Sequence, residues 1–172
     1  MNFDTELKEI LNLSDELDKT HGRSWARFKG DVINRKIIEL ISRHIFNSEY
    51  KIVGPSVYIE KFPTEFDAMI VRKESEPQKG TNAYRISDIR LILEIKKHGF
   101  YYKKSEGRYE IEKYFKHFNA TEKPFLYLTV KESKKFIDIT KEVLGAKFFC
   151  LCVSYGKPII GEYERFIGEI KK

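Results

Sequence analysis

The sequence is poor in the residues that build thiolate metal sites and membrane spans. It has only two cysteines, Cys150 and Cys152, which stand one residue apart in the apolar stretch FFCLCVSYG. A thiolate metal site needs more ligands than this pair supplies, so we expect both cysteines to be small apolar residues of a buried strand. No apolar run is long enough to cross a bilayer, which argues against a membrane protein.

Signals for export, repeats and linkers are missing as well. The first ten residues, MNFDTELKEI, are acidic and amphipathic and do not resemble a signal peptide. We therefore expect a cytoplasmic protein. The 172 residues show no internal repeat, low-complexity tract or linker. This predicts a single domain over 1–172, with an N-terminal helix within residues 1–22 added to its core.

Charge and composition favour a polyanionic partner without identifying one. Apolar residues make up 41% of the chain and charged residues 34%, as in a folded globular protein. The formal net charge is +6, but 26 acidic residues accompany 32 basic ones. A basic balance of this size is compatible with nucleic acid and does not by itself establish it.

Apolar periodicity predicts an α/β fold. Helices are expected at 3–19 and from residue 24 or 30 to 46, followed by strands in VGPSVYIEKFP, in TEFDAMIVRK and at 86–97. Three more helices are expected in EGRYEIEKYFKHFN, KKFIDITKEVLG and EYERFIGEIKK. They alternate with strands in PFLYLTV and AKFFCLCVSY. The first three strands can form an antiparallel meander, and the last two each follow a helix, which favours parallel crossovers. The prediction is a mixed central sheet of about five strands flanked by helices.

The third strand combines an apolar face with a charged one. In DIRLILEIKK the apolar face has Ile89, Leu91, Leu93 and Ile95, and the charged face has Asp88, Arg90, Glu94 and Lys96, with Ile92 as its only apolar member. Strand side chains alternate between faces, so Glu94 and Lys96 point the same way. One interpretation is an ion pair at an exposed strand edge, and the other is a catalytic pair.

The preceding strand supplies a matching acid. Asp67 interrupts the apolar run FDAMIV, where an acid is costly to bury, so it is either a turn residue or a site residue. If this strand pairs with 86–97, Asp67, Glu94 and Lys96 converge. Two adjacent carboxylates without thiolates suit Mg²⁺ or Mn²⁺. Glu65, two residues earlier on the same face, is a possible additional ligand or an exposed carboxylate.

The stretches EFD at 65–67 and EIK at 94–96 resemble the motif of the PD-(D/E)XK nuclease superfamily. That superfamily includes restriction endonucleases and archaeal Holliday-junction resolvases. The element order resembles it over most of the chain. The resemblance implies the restriction endonuclease-like fold, with a metal held by Asp67, Glu94 and the backbone carbonyl that follows Glu94. It also implies that Lys96 positions or activates the attacking water.

Two details of the motif differ or stay open. The proline that leads the motif is absent at Phe66, and Pro63 stands further back. Many members also have an acidic residue on the first core helix, for which KGDVINRKIIELISR offers Asp31 and Glu39. For Glu39 the alternative is a surface pair with Arg43, four residues on.

Two basic segments with aromatic residues are candidates for nucleic-acid contacts. HGRSWARFKGD contains Arg23, Arg27 and Lys29 around the only tryptophan, and KKHGFYYKK contains Lys97, Lys103 and Lys104 among three aromatic rings. Basic and aromatic side chains together suit a nucleic-acid strand. The alternatives are packing of Trp25 and Phe28 at the start of a helix, and an ordinary turn around His98.

The sequence therefore predicts a metal-dependent DNA endonuclease that uses Mg²⁺ or Mn²⁺ to hydrolyse phosphodiester bonds. Cutting both strands of a duplex usually requires two active sites, so a homodimer is expected. The rival is a non-catalytic nucleic-acid-binding protein that keeps the fold, although such a protein has no reason to place two carboxylates facing a polyanion. A small-molecule enzyme with a carboxylate-bound metal is disfavoured by the basic balance and by the absence of a glycine-rich phosphate loop.

Overall fold

The computed structural model of the chain describes residues 2–20, 25–46, 48–98, 115–154 and 157–172. Its helices are α1 (Phe3–Thr20), α2 (Ala26–His44), α3 (Lys134–Leu144) and α4 (Glu162–Lys171). Its strands are β1 (Tyr50–Val53), β2 (Val57–Ile59), β3 (Glu65–Phe66), β4 (Ala68–Arg72), β5 (Ala83–Tyr84), β6 (Ile89–His98), β7 (Phe125–Glu132) and β8 (Phe148–Val153). A helical turn at 115–119 lies before β7.

Five strands form one mixed sheet in the order β1-β4-β6-β7-β8. β1, β4 and β6 pair antiparallel, whereas β6, β7 and β8 pair parallel. The chain passes from β7 to β8 through α3, as a parallel crossover requires. The predicted meander followed by parallel strands is confirmed. A smaller sheet, in the order β3-β2-β5, was not predicted.

Apolar residues cover both faces of the central sheet. On one face Leu93 and Ile95 of β6 pack with α1, α2 and α4 in a large buried cluster. α2 contributes Ile33 and Ile37, four residues apart on its apolar side. On the other face Ile92 packs with the small sheet, α3 and the turn at 115–119. The charged residues of β6 therefore project from a strand that is otherwise enclosed.

Two predicted strands are each divided between the two sheets. The stretch VGPSVYIEKFP contains the end of β1 and all of β2, because Gly54 and Pro55 interrupt it and proline donates no backbone N–H. The stretch TEFDAMIVRK is divided into β3 and β4 at Asp67. The predicted strand at 86–97 begins at Ile89, after a short 3₁₀ turn, Ile86–Asp88.

The limits of α1 and α3 and the burial of the two cysteines agree closely with the predictions from the sequence. α1 ends one residue beyond the predicted helix, and α3 is terminated at Gly145, whose φ of +56° suits glycine. Cys150 and Cys152 are buried in β8, and burial raises the pKa of both thiols. Most of the helix predicted in EGRYEIEKYFKHFN lies outside the described residues. In the described part of the chain, no helix is both long and apolar enough to cross a membrane.

Candidate active site

Asp67 lies at the bend between β3 and β4, across from Glu94 on β6. β4 and β6 pair antiparallel with Ala68 opposite Leu93, so the register continued by one residue places Asp67 opposite Glu94. Residues that oppose one another across antiparallel strands project on the same face. The structure therefore brings together two acids that are far apart in the sequence.

Three donors hold the carboxylate of Asp67. Its Oδ2 accepts a hydrogen bond from the backbone N–H of Ile95 at 2.8 Å and another from the amine of Lys96 at 2.9 Å. Its Oδ1 accepts one from the side-chain amide of Asn34 at 3.2 Å. The donors come from β6 and α2, so two elements fix the orientation of one carboxylate, as outer hydrogen bonds do for metal-ligating acids.

Lys96 joins the two acids. Glu94 is buried, and its Oε1 lies 2.5 Å from the Lys96 amine, which also contacts Asp67. Burial is the largest single influence on the pKa of Lys96 and lowers it. The charges of Glu94 and Asp67 and their hydrogen bonds together outweigh burial, so the pKa is raised. One positive group thus contacts two carboxylates.

Gly54 lets the backbone pass close to Asp67. Its φ is +149°, a backbone conformation that residues other than glycine rarely adopt. A Cβ at this position would lie 2.7 Å from the carbonyl oxygen of Asp67 and 2.9 Å from the side chain of Ile38. Glycine is therefore required where the chain leaves β1 beside the bend that carries Asp67.

Asn34 is the site residue that sequence reasoning missed. It is buried on α2, and its Oδ1 has no hydrogen-bond partner among the described residues. The amide orientation follows from chemistry, since the NH₂ group and not the carbonyl must face the Asp67 carboxylate. The available signal was an amide next to Ile33 on the apolar side of an amphipathic helix.

Glu65 faces the small sheet. Its carboxylate accepts hydrogen bonds from the hydroxyls of Tyr58 and Ser56, each at 2.8 Å. The bond from Tyr58 lowers the pKa of Glu65 most, followed by the bond from Ser56, and the charges of Arg27 and Lys96 lower it further. Glu65 is therefore bound to its own strand pair, although it lies within electrostatic reach of Lys96.

Glu39 lies on the exposed side of α2. Its carboxylate pairs with Arg43 and lies 3.6 Å from the amine of Lys36. Five residues separate Glu39 from Asn34, a rotation of about 140° around the helix. Glu39 therefore points away from the side of α2 that reaches Asp67. Glu39 therefore forms the surface pair with Arg43, and its position does not fit a role near a metal bound at Asp67.

Two of the residues expected to contact nucleic acid form ion pairs within the protein instead. Lys29 and Lys97 are buried, and both pair with Asp18 near the end of α1, with the Lys29 amine 3.3 Å from Oδ1. Burial, the largest influence, lowers the pKa of Lys97 despite this partner. Because both amines are directed to Asp18, direct phosphate contacts by Lys29 and Lys97 do not fit the structure.

The remaining expected contacts are exposed or undescribed. Arg27 is exposed on the first turn of α2. Arg23, Lys103 and Lys104 lie outside the described residues. His98, expected in a turn, is the last residue of β6. Of the six basic residues predicted to contact nucleic acid, Arg27 is the one that is both described and exposed to solvent.

The donor set suits a small, hard cation. Asp67 and Glu94 offer carboxylate oxygens on the same face of the sheet, and the Lys96 amine already makes contact with both. Within the described ranges, no group of three or more His, Cys, Asp or Glu side chains is placed to hold a metal. Mg²⁺ is commonly bound through one or two carboxylates and keeps several waters. The pair therefore fits Mg²⁺ or Mn²⁺ better than a four-ligand zinc site.

Comparison with solved structures identifies the architecture. NucC from P. aeruginosa ATCC27853, in a cAAA-bound form, is similar with a TM-score of 0.56 and 12% identity, over 77% of this chain and 62% of the NucC chain. NucC from E. coli MS115-1, also cAAA-bound, has the same TM-score and identity, over 77% of this chain and 63% of its own. The chain has the restriction endonuclease-like fold. The fold predicted from the sequence is confirmed.

The likeness concerns the fold alone. The chain spans less than two thirds of the length of the two NucC chains, at 12% identity. No protein-family model matches the sequence, and no curated protein matches it either. In this restriction endonuclease-like chain, any role for Asp67, Glu94 and Lys96 rests on their own geometry.

Proposed function

We propose that this chain is a metal-dependent DNA endonuclease that hydrolyses phosphodiester bonds. The observation that carries the proposal is the convergence of Asp67 and Glu94 on the Lys96 amine, at 2.9 and 2.5 Å, where β4 and β6 lie side by side. Carboxylates beside an apolar core are costly. A structural ion pair needs only one carboxylate for one lysine, so the second carboxylate on the same amine supports a cation site.

Asp67 and Glu94 would hold Mg²⁺ or Mn²⁺, together with water and the backbone carbonyl of Ile95. When bound, the metal supplies Lewis-acid stabilisation of the charge that develops on the phosphate as water attacks. The hydrogen bonds from Asn34 and Ile95 keep the Asp67 carboxylate in one orientation. Burial of Glu94 strengthens its attraction for a cation, because few waters screen it.

Lys96 is placed to act on both the phosphate and the attacking water. Its side chain is 31% exposed, so solvent and substrate can reach the amine while it contacts the two acids. The amine donates hydrogen bonds that hold a water in line with the phosphate. It also offsets negative charge on the phosphate, as preorganised donors do in other transition states.

DNA is the proposed substrate and a homodimer the proposed assembly. The net charge of +6 favours a polyanion. Arg27 is exposed near Glu65, close to the edge of the candidate active site. Cutting both strands of a duplex usually requires two active sites, which two copies related by a two-fold axis would supply.

A cleavage assay tests the proposal. The chain is incubated with linear, supercoiled and four-way-junction DNA in Mg²⁺, in Mn²⁺ or in EDTA. We expect products with either metal and none in EDTA. Binding of DNA without cleavage of any of the three forms would favour the rival, a nucleic-acid-binding protein that keeps the fold without catalysis.

A further inference from the structure

Lys131 of β7 lies close to the candidate active site. β6 and β7 pair parallel, with Lys96 beside Thr129 and His98 beside Lys131. Lys131 is therefore one strand across from Lys96 and two residues further along. At about 3.3 Å per residue and about 4.8 Å between strands, the two Cα atoms lie about 8 Å apart. A DNA strand advances about 3.4 Å per nucleotide, so one that reaches Lys96 passes Lys131 within about two or three nucleotides.

Strand alternation gives Lys131 the same face of the sheet as Lys96. Val130, the residue before it, is buried in the cluster that contains Ile95 and α1. Successive side chains of a strand project to opposite faces, so Lys131 leaves β7 on the face opposite to Val130. Thr129 leads to the same result, because it lies beside Lys96 and two residues before Lys131.

An acid of α1 nevertheless holds the Lys131 amine on the other side of the sheet. The amine pairs with the carboxylate of Asp15, and α1 packs on the face of Ile95. Lys131 is the last residue but one of β7, so its side chain can pass the end of the sheet to reach α1. The pair therefore keeps the amine away from the face on which Lys96 lies.

The pair between Asp15 and Lys131 is one that a phosphate can replace. The side chain of Asp15 is 56% exposed, and exposed ion pairs contribute little to stability because water screens them. A DNA phosphate offers the same negative charge, and its binding also releases counterions. Asp18 differs, since it is shared by two buried lysines, Lys29 and Lys97. Of these two acids of α1, Asp15 is therefore the exchangeable partner.

We propose that Lys131 contacts a DNA phosphate close to the scissile one, and that Asp15 is the counter-ion which this phosphate displaces. The inference rests on the proposed endonuclease function for the position of the scissile phosphate, but the contact itself requires no metal. The exchange needs only rotation of the Lys131 side chain, because its Cα already has the position described above. α1 stays in place through its buried apolar residues. Asp15 thus competes with DNA for one amine.

Lys131→Met tests the contact, because it keeps the apolar stem of the side chain and removes the charge. Anisotropy of labelled duplex DNA is measured in EDTA at several salt concentrations. Loss of one phosphate contact should weaken binding about three- to tenfold and make the slope of log affinity against log salt shallower by about 0.9. Wild-type affinity and slope in a folded Lys131→Met protein would overturn the proposal.

Lys51→Met is the matched control. Lys51 makes the same kind of pair with one exposed acid, Glu76. It lies opposite Val71, which is four residues along β4 from Asp67, or about 13 Å. The change removes the same charge outside the proposed contact, so the salt slope should change by less than about 0.3. An equal change of slope in the two variants would mean that net charge, and not a contact by Lys131, is responsible.

Asp15→Asn supplies an independent test of the exchange. Removal of the counter-ion frees the Lys131 amine, so DNA affinity should rise about two- to fivefold. In a Lys131→Met background the same change should alter affinity by less than about 1.5-fold, because no amine is left to free. Equal tightening in both backgrounds would make Asp15 a general repulsive charge, and no tightening in either would remove the competition. Both results would overturn the proposal.

Cleavage assays separate this inference from the proposed function. Metal-dependent cleavage by the wild type, together with unaltered DNA affinity in Lys131→Met, would remove the contact and keep the endonuclease. The expected changes in affinity without cleavage by the wild type would keep the contact and remove the endonuclease.

Discussion

The side-chain amide of Asn34 donates a hydrogen bond to Oδ1 of Asp67 at 3.2 Å, and this bond joins α2 to the bend between β3 and β4. The other oxygen, Oδ2, is held from β6 by Ile95 and Lys96. The proposed metal ligand is thus fixed between a helix and a strand that lie far apart in the sequence. A carboxylate held from both sides is preorganised for a cation.

Asn34→Leu tests this positioning role. The change keeps the approximate size of the side chain and removes both the donor to Asp67 and the buried Oδ1, so we expect the free energy of unfolding to change by less than about 1.5 kcal/mol. Affinity for Mn²⁺, measured by calorimetric titration, should fall about ten- to a hundredfold because Asp67 loses its outer partner. Wild-type Mn²⁺ affinity in a folded Asn34→Leu protein would contradict the role.

Lys96→Met should make stability depend on metal. Without the amine, Asp67 and Glu94 lose their shared counter-charge, and the free energy of unfolding in EDTA should fall by about 1.5 to 3 kcal/mol. Mg²⁺ should restore more stability to this variant than to the wild type, because it replaces the missing positive charge. Thermal unfolding with and without Mg²⁺ measures both effects.

Lys51→Met is the control for that experiment. Lys51 lies in β1, its side chain is 31% exposed like that of Lys96, and its amine lies 3.4 Å from the single exposed acid Glu76. We expect a loss of less than about 1 kcal/mol and no added response to Mg²⁺. An equal Mg²⁺ response in the two variants would mean that Asp67 and Glu94 do not hold the metal.

Asp67→Asn should weaken metal binding without removing the fold. Excess Mn²⁺ should partly restore cleavage, since Glu94 remains, and DNA binding in EDTA should tighten because a negative charge facing phosphate is gone. Cleavage rate against Mn²⁺ concentration measures the first effect, and anisotropy of labelled DNA measures the second. Glu65→Gln serves as the comparison: if it shifts the Mn²⁺ dependence as far as Asp67→Asn does, Glu65 is also a ligand.

Asp18→Asn should destabilise the contact between α1 and the end of β6. Burial, the largest influence, raises the pKa of Asp18, but Lys97 and Lys29 outweigh it and lower the pKa overall. A carboxyl with a lowered folded pKa contributes stability above its unfolded pKa of about 3.9, and the contribution is lost as pH falls through the folded value. Because the side chain of Asp18 is 42% exposed, solvent screens both pairs. The variant should therefore lose roughly 1 to 1.5 kcal/mol at neutral pH, and this loss should shrink below about pH 4.

Urea unfolding across pH measures that difference, with Asp15→Asn as the control. Asp15 pairs with one lysine, Lys131, and is more exposed than Asp18. Its removal should cost less than about 1 kcal/mol. A difference between wild type and Asp18→Asn that stays constant down to pH 3 would show that the carboxylate charge is not what stabilises this contact.

The central strand was predictable because its alternation is a local property. Glu94 and Lys96 stand out against four apolar neighbours, and Asp67 stands out in its own apolar run. Their convergence needs the register of β4 against β6, which the motif resemblance suggested and the strand pairing supplies. Asn34 could not be found in this way, because an amide on the apolar side of a helix does not indicate its partner, which is a bend elsewhere in the chain.

The sequence alone does not predict in which direction each basic side chain points. Lys97 follows Lys96, yet strand alternation sends it to the opposite face of β6, where Asp18 of α1 lies. Lys29 reaches the same acid from α2. The net charge includes these amines, but both pair with Asp18 of α1 and are therefore not directed toward a phosphate.

The most direct test of the account compares DNA cleavage by the wild type, Lys96→Ala and Lys51→Ala under identical Mg²⁺ conditions. The account predicts cleavage by the wild type and Lys51→Ala in Mg²⁺, none in EDTA, and a rate about a hundred- to a thousandfold lower in Lys96→Ala. Circular dichroism in the same buffer checks that Lys96→Ala is folded. Cleavage by folded Lys96→Ala at the wild-type rate, or no metal-dependent cleavage by the wild type on any DNA form, would contradict it.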